Sequence, residues 1–373
     1  MIIKKSFQYR LHPTKKQAKA LQAVLDECRW LYNQLLEQRK LAYEELDIPL
    51  SKYQQSMLLP LMKEERPSLA QVHSQALQNV VDRLDKSFQA FFRRCKTGEK
   101  PGFPRFRGEH RYDSFCFPQS GFSLVGKELK LSKLGCIRVK MHRPIQGVIK
   151  TCTLKRTASG EWNVSFSCEV DVVSQETKEE VVGIDVGLEN FAMLSNGEKI
   201  ENPRFFKQGQ KALAKAQRKF AKLEKGTPER KKQGKVVAKA HERIRNQRKD
   251  FCHKESKKII DRYQYIYVED LNIAPMMEQS TFAKSIADAS WNQFLQFLTY
   301  KAVDAGRKVG LVNPAYTSQD CHRCGYREAK KLSQREHCCS HCGYKTSRDF
   351  NAAQNILALG LDGLGEIPRS LRL

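Results

Sequence analysis

The chain has 373 residues, 40% of them hydrophobic, which excludes a disordered tail and, at roughly 100–200 residues per domain, allows two to four domains. Its formal net charge of +25 exceeds what solubility needs and calls for a polyanionic partner, nucleic acid before an anionic membrane surface. No run approaches the roughly 18 apolar residues of a membrane span, and the opening MIIKKSFQYRL lacks a signal-peptide core, so the expectation is a cytoplasmic, nucleoid-associated protein of a prokaryotic host with reduced cysteines.

Residues 3–10 alternate as a short strand. Residues 14–47 read as a helix, with Leu21, Val24, Leu25, Cys28, Leu31, Tyr32 and Leu35 at helical spacing and Pro13-Thr14 at its start. A break at Ile48-Pro49 leads to a shorter helix near 51–63. Residues 71–96 form another, striped by Val72, Ala76, Val80, Leu84, Phe88 and Phe91. KPGFPRFRG (100–108) is a basic, Gly/Pro-rich turn with interleaved aromatics. Residues 112–171 alternate in short runs, most clearly at Trp162, Val164, Phe166, Cys168 and Val170, and read as antiparallel strands of a barrel-like or sandwich domain.

SQETKEE (174–180) reads as a polar linker. A buried strand, Val181-Val182-Gly183-Ile184-Asp185, follows, and then a hairpin over 189–200 turning at Asn196-Gly197. Residues 207–258 are helical and strongly basic: from Arg204 to Lys258 there are 20 Lys and Arg against 5 Asp and Glu. Gly226-Thr227-Pro228 divides two long helices with seams Leu213, Phe220, Leu223 and Val237, Ile244, Phe251. Tyr265-Ile266-Tyr267-Val268-Glu269 is a second buried strand ending in an acid. A helix spans about 287–305, a strand 308–313 and a last helix 350–360. The tail with Gly360, Gly363 and Gly365 is expected to be flexible.

Cys321, Cys324, Cys339 and Cys342 are spaced C-x2-C-x14-C-x2-C, which suits one tetrahedral Zn2+ held by four thiolates. Cys338 competes with Cys339 for register, but Cys339 makes the clean C-x2-C. Cys28, Cys95, Cys116, Cys136, Cys152, Cys168 and Cys252 are scattered and read as small apolar residues. His322, His337 and His341 break the ligand spacing and read as solvent or phosphate contacts.

Asp185 and Glu269 close apolar strands, and Asp349 starts the last helix within Arg348-Asp349-Phe350-Asn351-Ala352-Ala353. Carboxylates at the ends of buried strands are costly unless something positive compensates them. Converged, the three would suit Mg2+ or Mn2+ and metal-dependent phosphodiester chemistry. Taken singly, each also reads as a helix cap or a surface acid.

GIDVGLENFAMLSNGEKIENPRFF, the VEDLN around Glu269, SIADASWNQFLQFLTYKAVDAGRKV, the paired CxxCG and RDFNAAQNIL resemble TnpB, the transposon-encoded RNA-guided nucleases ancestral to type V CRISPR effectors. YRLHPTKKQ, Arg29-Trp30-Leu31-Tyr32-Asn33 and GFPRFR (102–107) extend the resemblance over nearly the whole chain. It implies an α+β multidomain fold: an N-terminal β-barrel (wedge, 1–12 and 97–174) with a helical insertion (13–96), then an RNase H-like (RuvC-type) α/β nuclease domain (181–316 and 346–373) with an inserted four-cysteine zinc ribbon (317–345). It implies Asp185, Glu269 and Asp349 as ligands for catalytic Mg2+ or Mn2+, one structural Zn2+, a guide RNA from the transposon end, double-stranded target DNA, no membrane, and a monomer on the RNA. The chain has Ser347 where many members have Asp.

For nucleic-acid contact the resemblance directs attention to Tyr53 and Gln78, the latter turned away from the Val80–Leu84–Phe88 stripe and able as an amide to pair with adenine. Arg105 and Arg107 in the GFPRFR turn suit an RNA backbone or, equally, a domain junction; Arg218, Lys219 and Arg348 suit phosphates. A guide-dependent repressor would require a lost carboxylate, and none is lost. A single-strand transposase would require a His-x-His pair, which the nine histidines do not form. A purely structural zinc-ribbon RNA-binding protein leaves three terminal acids unexplained.

Overall fold

The computed structural model describes residues 2–109, 111–171, 180–279, 281–331 and 333–362. The chain divides into two compact units, Met1–Asp171 and Val172–Leu373. The linker run 174–180, apart from Glu180, lies outside the described residues, as do Gly363 and Gly365.

The first unit opens with β1 (Ile2–His12), whose Phe7, Tyr9 and Leu11 alternate into the core. Helix α1 (Lys15–Leu46) starts where the sequence supplies a capping box: the Thr14 hydroxyl accepts from the Gln17 amide, and the Gln17 side chain accepts from the Thr14 amide. The single helix expected near 51–63 is two, α2 (Lys52–Met57) and α3 (Leu59–Glu65), because Pro60 has no amide to continue a helix and fits only in a first turn. A 3-10 turn (Pro67–Gln71) precedes α4 (Ser74–Lys96). Buried Arg39 ties these helices together, donating to Gln55 Oε1 at 2.6 Å and Asp85 Oδ1 at 3.1 Å.

Six further strands follow: β2 (Ser114–Phe117), β3 (Phe122–Val125), β4 (Glu128–Leu131), β5 (Gly135–Lys140), β6 (Val148–Arg156) and β7 (Trp162–Asp171). With β1 they form one antiparallel sheet, ordered β2-β6-β7-β1-β5-β4-β3. Its edge strands β2 and β3 are joined by the turn 118–121, and Phe117 and Phe122 approach to 6.4 Å between ring centres. The sheet therefore curls into a nearly closed, barrel-like form. One apolar core runs from the sheet through α1 and α4.

The second unit is built on a five-stranded sheet: β8 (Val181–Val186), β9 (Asn190–Leu194), β10 (Lys199–Glu201), β11 (Tyr265–Glu269) and β12 (Lys308–Val312). The order is β10-β9-β8-β11-β12, antiparallel up to β8 and parallel from β8 through β11 to β12. Two long helices, α5 (Phe205–Ala221) and α6 (Pro228–Arg262), lie between β10 and β11. The expected helix over 287–305 is interrupted: after α7 (Ile273–Gln279) come α8 (Ala283–Ala289) and α9 (Trp291–Ala305), separated by Ser290 in the left-handed conformation (φ +59°). The ribbon hairpin β13 (Glu336–Cys338) and β14 (Lys345–Ser347) leads directly into α10 (Arg348–Asp362).

Strand periodicity sorts the faces of this sheet. Val182, Ile184, Ile266 and Val268 pack with Ile259, Phe294 and Leu298 in the core formed with α6 and α9. The alternate positions Gly183, Asp185, Tyr267 and Glu269 face the other way, toward α10. There α10 comes so close that a Cβ on Gly183 would meet the Ala353 carbonyl oxygen at 2.3 Å, and one on Gly360 would meet the Tyr267 ring at 2.2 Å. Gly360 is thus a packing residue inside α10 and not the start of a tail.

Of the scattered cysteines, Cys28, Cys116, Cys152, Cys168 and Cys252 are buried, as small apolar residues would be, but Cys95 and Cys136 are exposed. No helix among the described residues is long and apolar enough to cross a membrane.

Candidate functional site

In parallel register Ile184 stands opposite Val268, so the next residues, Asp185 and Glu269, leave the two central strands side by side. Helix α10 lies against the same face, and its first turn carries Asp349. The three acids thus come from β8, β11 and α10. Glu269 is 8% exposed, whereas Asp185 and Asp349 keep partial access to solvent.

Asp185 is held protonated well above the ordinary carboxylate range, first by desolvation and then by the neighbouring charges of Glu269 and Asp349. The Arg348 guanidinium opposes this shift, and its Nε lies 3.7 Å from Asp349 Oδ1. Burial also raises Glu269, while the Thr317 hydroxyl, donating to Glu269 Oε1 at 2.5 Å, works against that rise. A cluster of acids that repel one another in a poorly solvated spot is a natural place for a hard divalent cation, with carboxylate oxygens as donors.

Asn351-Ala352-Ala353 has a structural account. Ala352 and Ala353 are small enough for α10 to seat on Gly183. Asn351 is fully buried; its amide donates to the Asp320 carbonyl at 2.7 Å, and its oxygen accepts from the His322 amide at 3.0 Å. Ser347 Oγ accepts from the Phe350 amide at 3.2 Å, a helix-capping contact an Asp side chain also makes.

In the ribbon the four cysteine sulfurs lie within 4.8 Å of one another, with Cys321–Cys342 at 3.7 Å and Cys324–Cys339 at 3.6 Å. Four thiolates about 2.3 Å from a tetrahedral Zn2+ sit about 3.8 Å apart, so the set fits zinc. Both knuckles repeat one backbone pattern. The Gly325 amide donates to the Cys321 carbonyl and Gly343 to Cys339, with φ of +73° and +70° at the glycines, and the cysteine amides donate to Tyr326 and Tyr344. Cys338 is exposed and outside the cluster.

The histidine expectation needs correcting at His337. His337 is fully buried, and its Nδ1 meets the Lys330 ammonium; its ring packs inside the ribbon because β13 turns it inward. His341 stacks on Tyr326 at 5.4 Å yet remains exposed, as does His322.

The remaining sequence-selected residues lie elsewhere. Tyr53 on α2 is 74% exposed, and Gln78 on α4 is exposed. Arg105 is exposed. Arg107 is exposed as well, but its guanidinium lies 5.4 Å from the centre of the Tyr32 ring, and its backbone is bracketed by the Asn33 amide at 2.7 and 3.0 Å, so the turn is fastened to α1. Arg218 and Lys219 are exposed in the last turn of α5. Sequence reasoning missed Thr317 and Asn355, whose only signal was position: one four residues before the first ribbon cysteine, the other a turn beyond Asn351.

A sequence model described as "Probable transposase" matches residues 165–280, a "Cas12f1-like, TNB domain" matches 291–356, and a "Helix-turn-helix domain" matches 1–47. The last stretch folds here as one strand and one continuous helix. The chain is 33% identical over 96% of its length, and 90% of the relative's, to a Streptomyces pristinaespiralis protein named "Putative RNA-guided DNA endonuclease". It is 30% identical over 95% of its length, and 92% of the relative's, to the Escherichia coli K12 protein "Putative RNA-guided DNA endonuclease InsQ". In fold it is similar to the protein in the structure titled "Cryo-EM structure of the Cas12f1-sgRNA-target DNA complex", with a TM-score of 0.60 at 13% identity, covering 95% of this chain and 98% of that one.

Proposed function

This chain belongs to the TnpB family, and on that premise we propose that it is an RNA-guided DNA endonuclease of a transposon. Guide RNA pairs with one strand of a target lying next to a short flanking motif, and one acidic site hydrolyses both strands in turn, the displaced strand first. The observation that carries this reading is the convergence of Asp185, Glu269 and Asp349 on one face of the second sheet, in a chain similar over nearly its full length to proteins named for that activity. The mixed sheet with its α10 crossing supports an RNase H-like, RuvC-type domain (181–316 and 346–373). The curled first sheet supports a wedge (1–12 and 97–174) carrying the helical insertion 13–96.

The residues divide the work. Asp185, Glu269 and Asp349 offer hard oxygen ligands for two Mg2+ or Mn2+ ions. Bound there, such ions supply a water acidic enough to attack near neutral pH and stabilise the leaving 3′-oxygen. Arg348 neutralises part of the acid cluster and is placed to meet a phosphate. The ribbon (317–345) holds a structural Zn2+ through its four cysteines. The basic hairpin (207–258), with Arg218 and Lys219 exposed, tracks phosphates without reading sequence. Tyr53 and Gln78 stand exposed for the flanking motif, and Arg105 and Arg107 for RNA. One copy of the chain acts on one RNA. A guide-dependent repressor is the alternative, but it leaves the intact carboxylate set without a use.

The test is co-expression with the flanking DNA, sequencing of bound RNA, and challenge with a plasmid library bearing a guide-matched target and randomised flank in Mg2+. Cleavage with depletion of one flank motif, abolished by Asp185→Ala, is the expected result. A bound RNA with retained target binding but no cutting by the unaltered chain overturns it in favour of the repressor.

A further inference from the structure

The segment between β12 and the first zinc knuckle is pinned at both ends. Thr317 is 4% exposed and donates through Oγ1 to Glu269 Oε1 at 2.5 Å. The Asn355 amide, six residues along α10 from Asp349, donates to the carbonyls of Thr317 and Asp320, both at 2.8 Å. Asn351 holds Asp320 and His322 from the same helix face. Tyr316, just before Thr317, adopts a left-handed conformation (φ +66°) that an aromatic residue rarely takes. Its backbone is held there by the Gln319 and Asp320 amides, which donate to its carbonyl at 2.8 and 2.9 Å, and its exposed ring lies under the Arg327 guanidinium at 3.6 Å. Arg327 is itself fixed by a two-pronged pair with Asp320. A backbone held in an unfavourable region by this many contacts is over-determined, and what it delivers is the Thr317 hydroxyl.

We infer that Thr317 is a positioning residue: it fixes the Glu269 carboxylate by its Oε1, leaving Oε2 to face a cation, and ties that carboxylate through Asn355 to the helix that carries Asp349 and through Asp320 to the Cys321 knuckle. The inference rests on the nuclease reading above. Groups that orient a metal-binding carboxylate typically change metal affinity or activity by about 10–100-fold when removed. The strut also gives the ribbon a second role, because a knuckle that loses its fold releases Thr317.

The test compares the full-length chain with Thr317→Val, which keeps the shape and removes the donor, and Thr317→Ser, which restores a hydroxyl. Mn2+ binding to the RNA-free chain is read by electron paramagnetic resonance against an Asp185→Ala background. Single-turnover cleavage of a guide-matched target is read as a function of Mg2+, with zinc content and target binding measured alongside. For Thr317→Val the expected result is Mn2+ binding weakened at least tenfold, cleavage slowed about 10–100-fold, and zinc content and DNA affinity unchanged. Thr317→Ser recovers most of both losses. Wild-type Mn2+ affinity and cleavage in Thr317→Val, or a loss that Ser does not recover, overturns the positioning role. If the unaltered chain binds Mn2+ but cuts no guided target, the nuclease reading fails, and the Mn2+ comparison still decides the role of Thr317.

Discussion

Asp185 and Glu269 stand at the ends of adjacent parallel strands and point to the same face of the sheet, where each is held more protonated than an ordinary carboxyl. Burial is the first cause for both, and for Asp185 the charge of Glu269 comes next. A raised folded pKa means that the folded chain keeps its proton after the unfolded chain has lost it. The unfolded state then binds fewer protons, so stability falls as pH rises from the ordinary carboxylate range through the raised folded value. Two outcomes are expected for the metal-free chain: its melting temperature declines across that window, and Asp185→Asn flattens the decline and raises the melting temperature at neutral pH. Thermal unfolding at a series of pH values, with and without Mg2+, checks this. A melting temperature for Asp185→Asn below that of the parent at neutral pH would contradict it.

Helix α10 can carry Asp349 to the site only because nothing larger than hydrogen stands at Gly183 and Gly360. Gly183→Ala drives a methyl into backbone at 2.3 Å, and Gly360→Ala drives one into the Tyr267 ring at 2.2 Å. Neither neighbour is the free end of a flexible chain. Each substitution is expected to cost about 1–3 kcal/mol by overpacking. Chemical denaturation gives the stability. Cleavage should fall with Gly183→Ala even well below the melting point, since the helix must shift away from Asp185. Gly102→Ala is the control: like Gly183 and Gly360 it lacks a positive φ, but no atom lies within 4 Å of a built Cβ there.

The division between what the sequence displayed and what it hid follows the range of the interactions. Caps, breaks and periodicity are local, so Thr14, Pro228 and the alternation through Trp162–Val170 place α1, α6 and β7 directly. The zinc set is legible because its spacing is local within each knuckle. The family resemblance named Asp185, Glu269 and Asp349, but their shared face depends on the parallel pairing of β8 with β11, whose partner residues lie 84 apart in the chain. Thr317 was illegible because its partner is 48 residues away and a threonine in a loop has no signature. His337 was misread because a three-residue strand turns it inward, and a strand that short has too little pattern to show a buried face.

Register within the ribbon separates two adjacent cysteines. Cys339 is buried, belongs to the four-sulfur cluster and has its thiol drawn down to about 7, chiefly by the Cys342 backbone amide. Cys338 is exposed on the other side of β13. Cys338→Ser is therefore expected to keep one zinc per chain. Cys339→Ser should lose most of it and, since zinc supplies folding free energy to such modules, should become protease-sensitive between 317 and 345. Atomic absorption and limited proteolysis distinguish the two. Zinc lost from Cys338→Ser and kept by Cys339→Ser would shift the ligand register by one residue.

Nucleic-acid affinity should separate into a part that tracks salt and a part that tracks sequence. Arg218 and Lys219 are exposed on a helix pair whose charge is overwhelmingly positive, and neutralising each phosphate contact removes about 0.7–0.9 from the slope of log affinity against log salt. Replacing both with Gln is expected to weaken binding to all targets alike and to reduce that slope by about 1.4–1.8. Tyr53 and Gln78 lie exposed on α2 and α4, away from that hairpin in the chain, and an amide such as Gln78 can discriminate a base by about 1–3 kcal/mol. Gln78→Ala is therefore expected to leave the salt slope intact and relax the flanking-motif preference. Affinities measured at several salt concentrations on matched and flank-mutated targets check both halves. A salt slope that moves with Gln78 but not with Arg218 and Lys219 would reverse the assignment of the two surfaces.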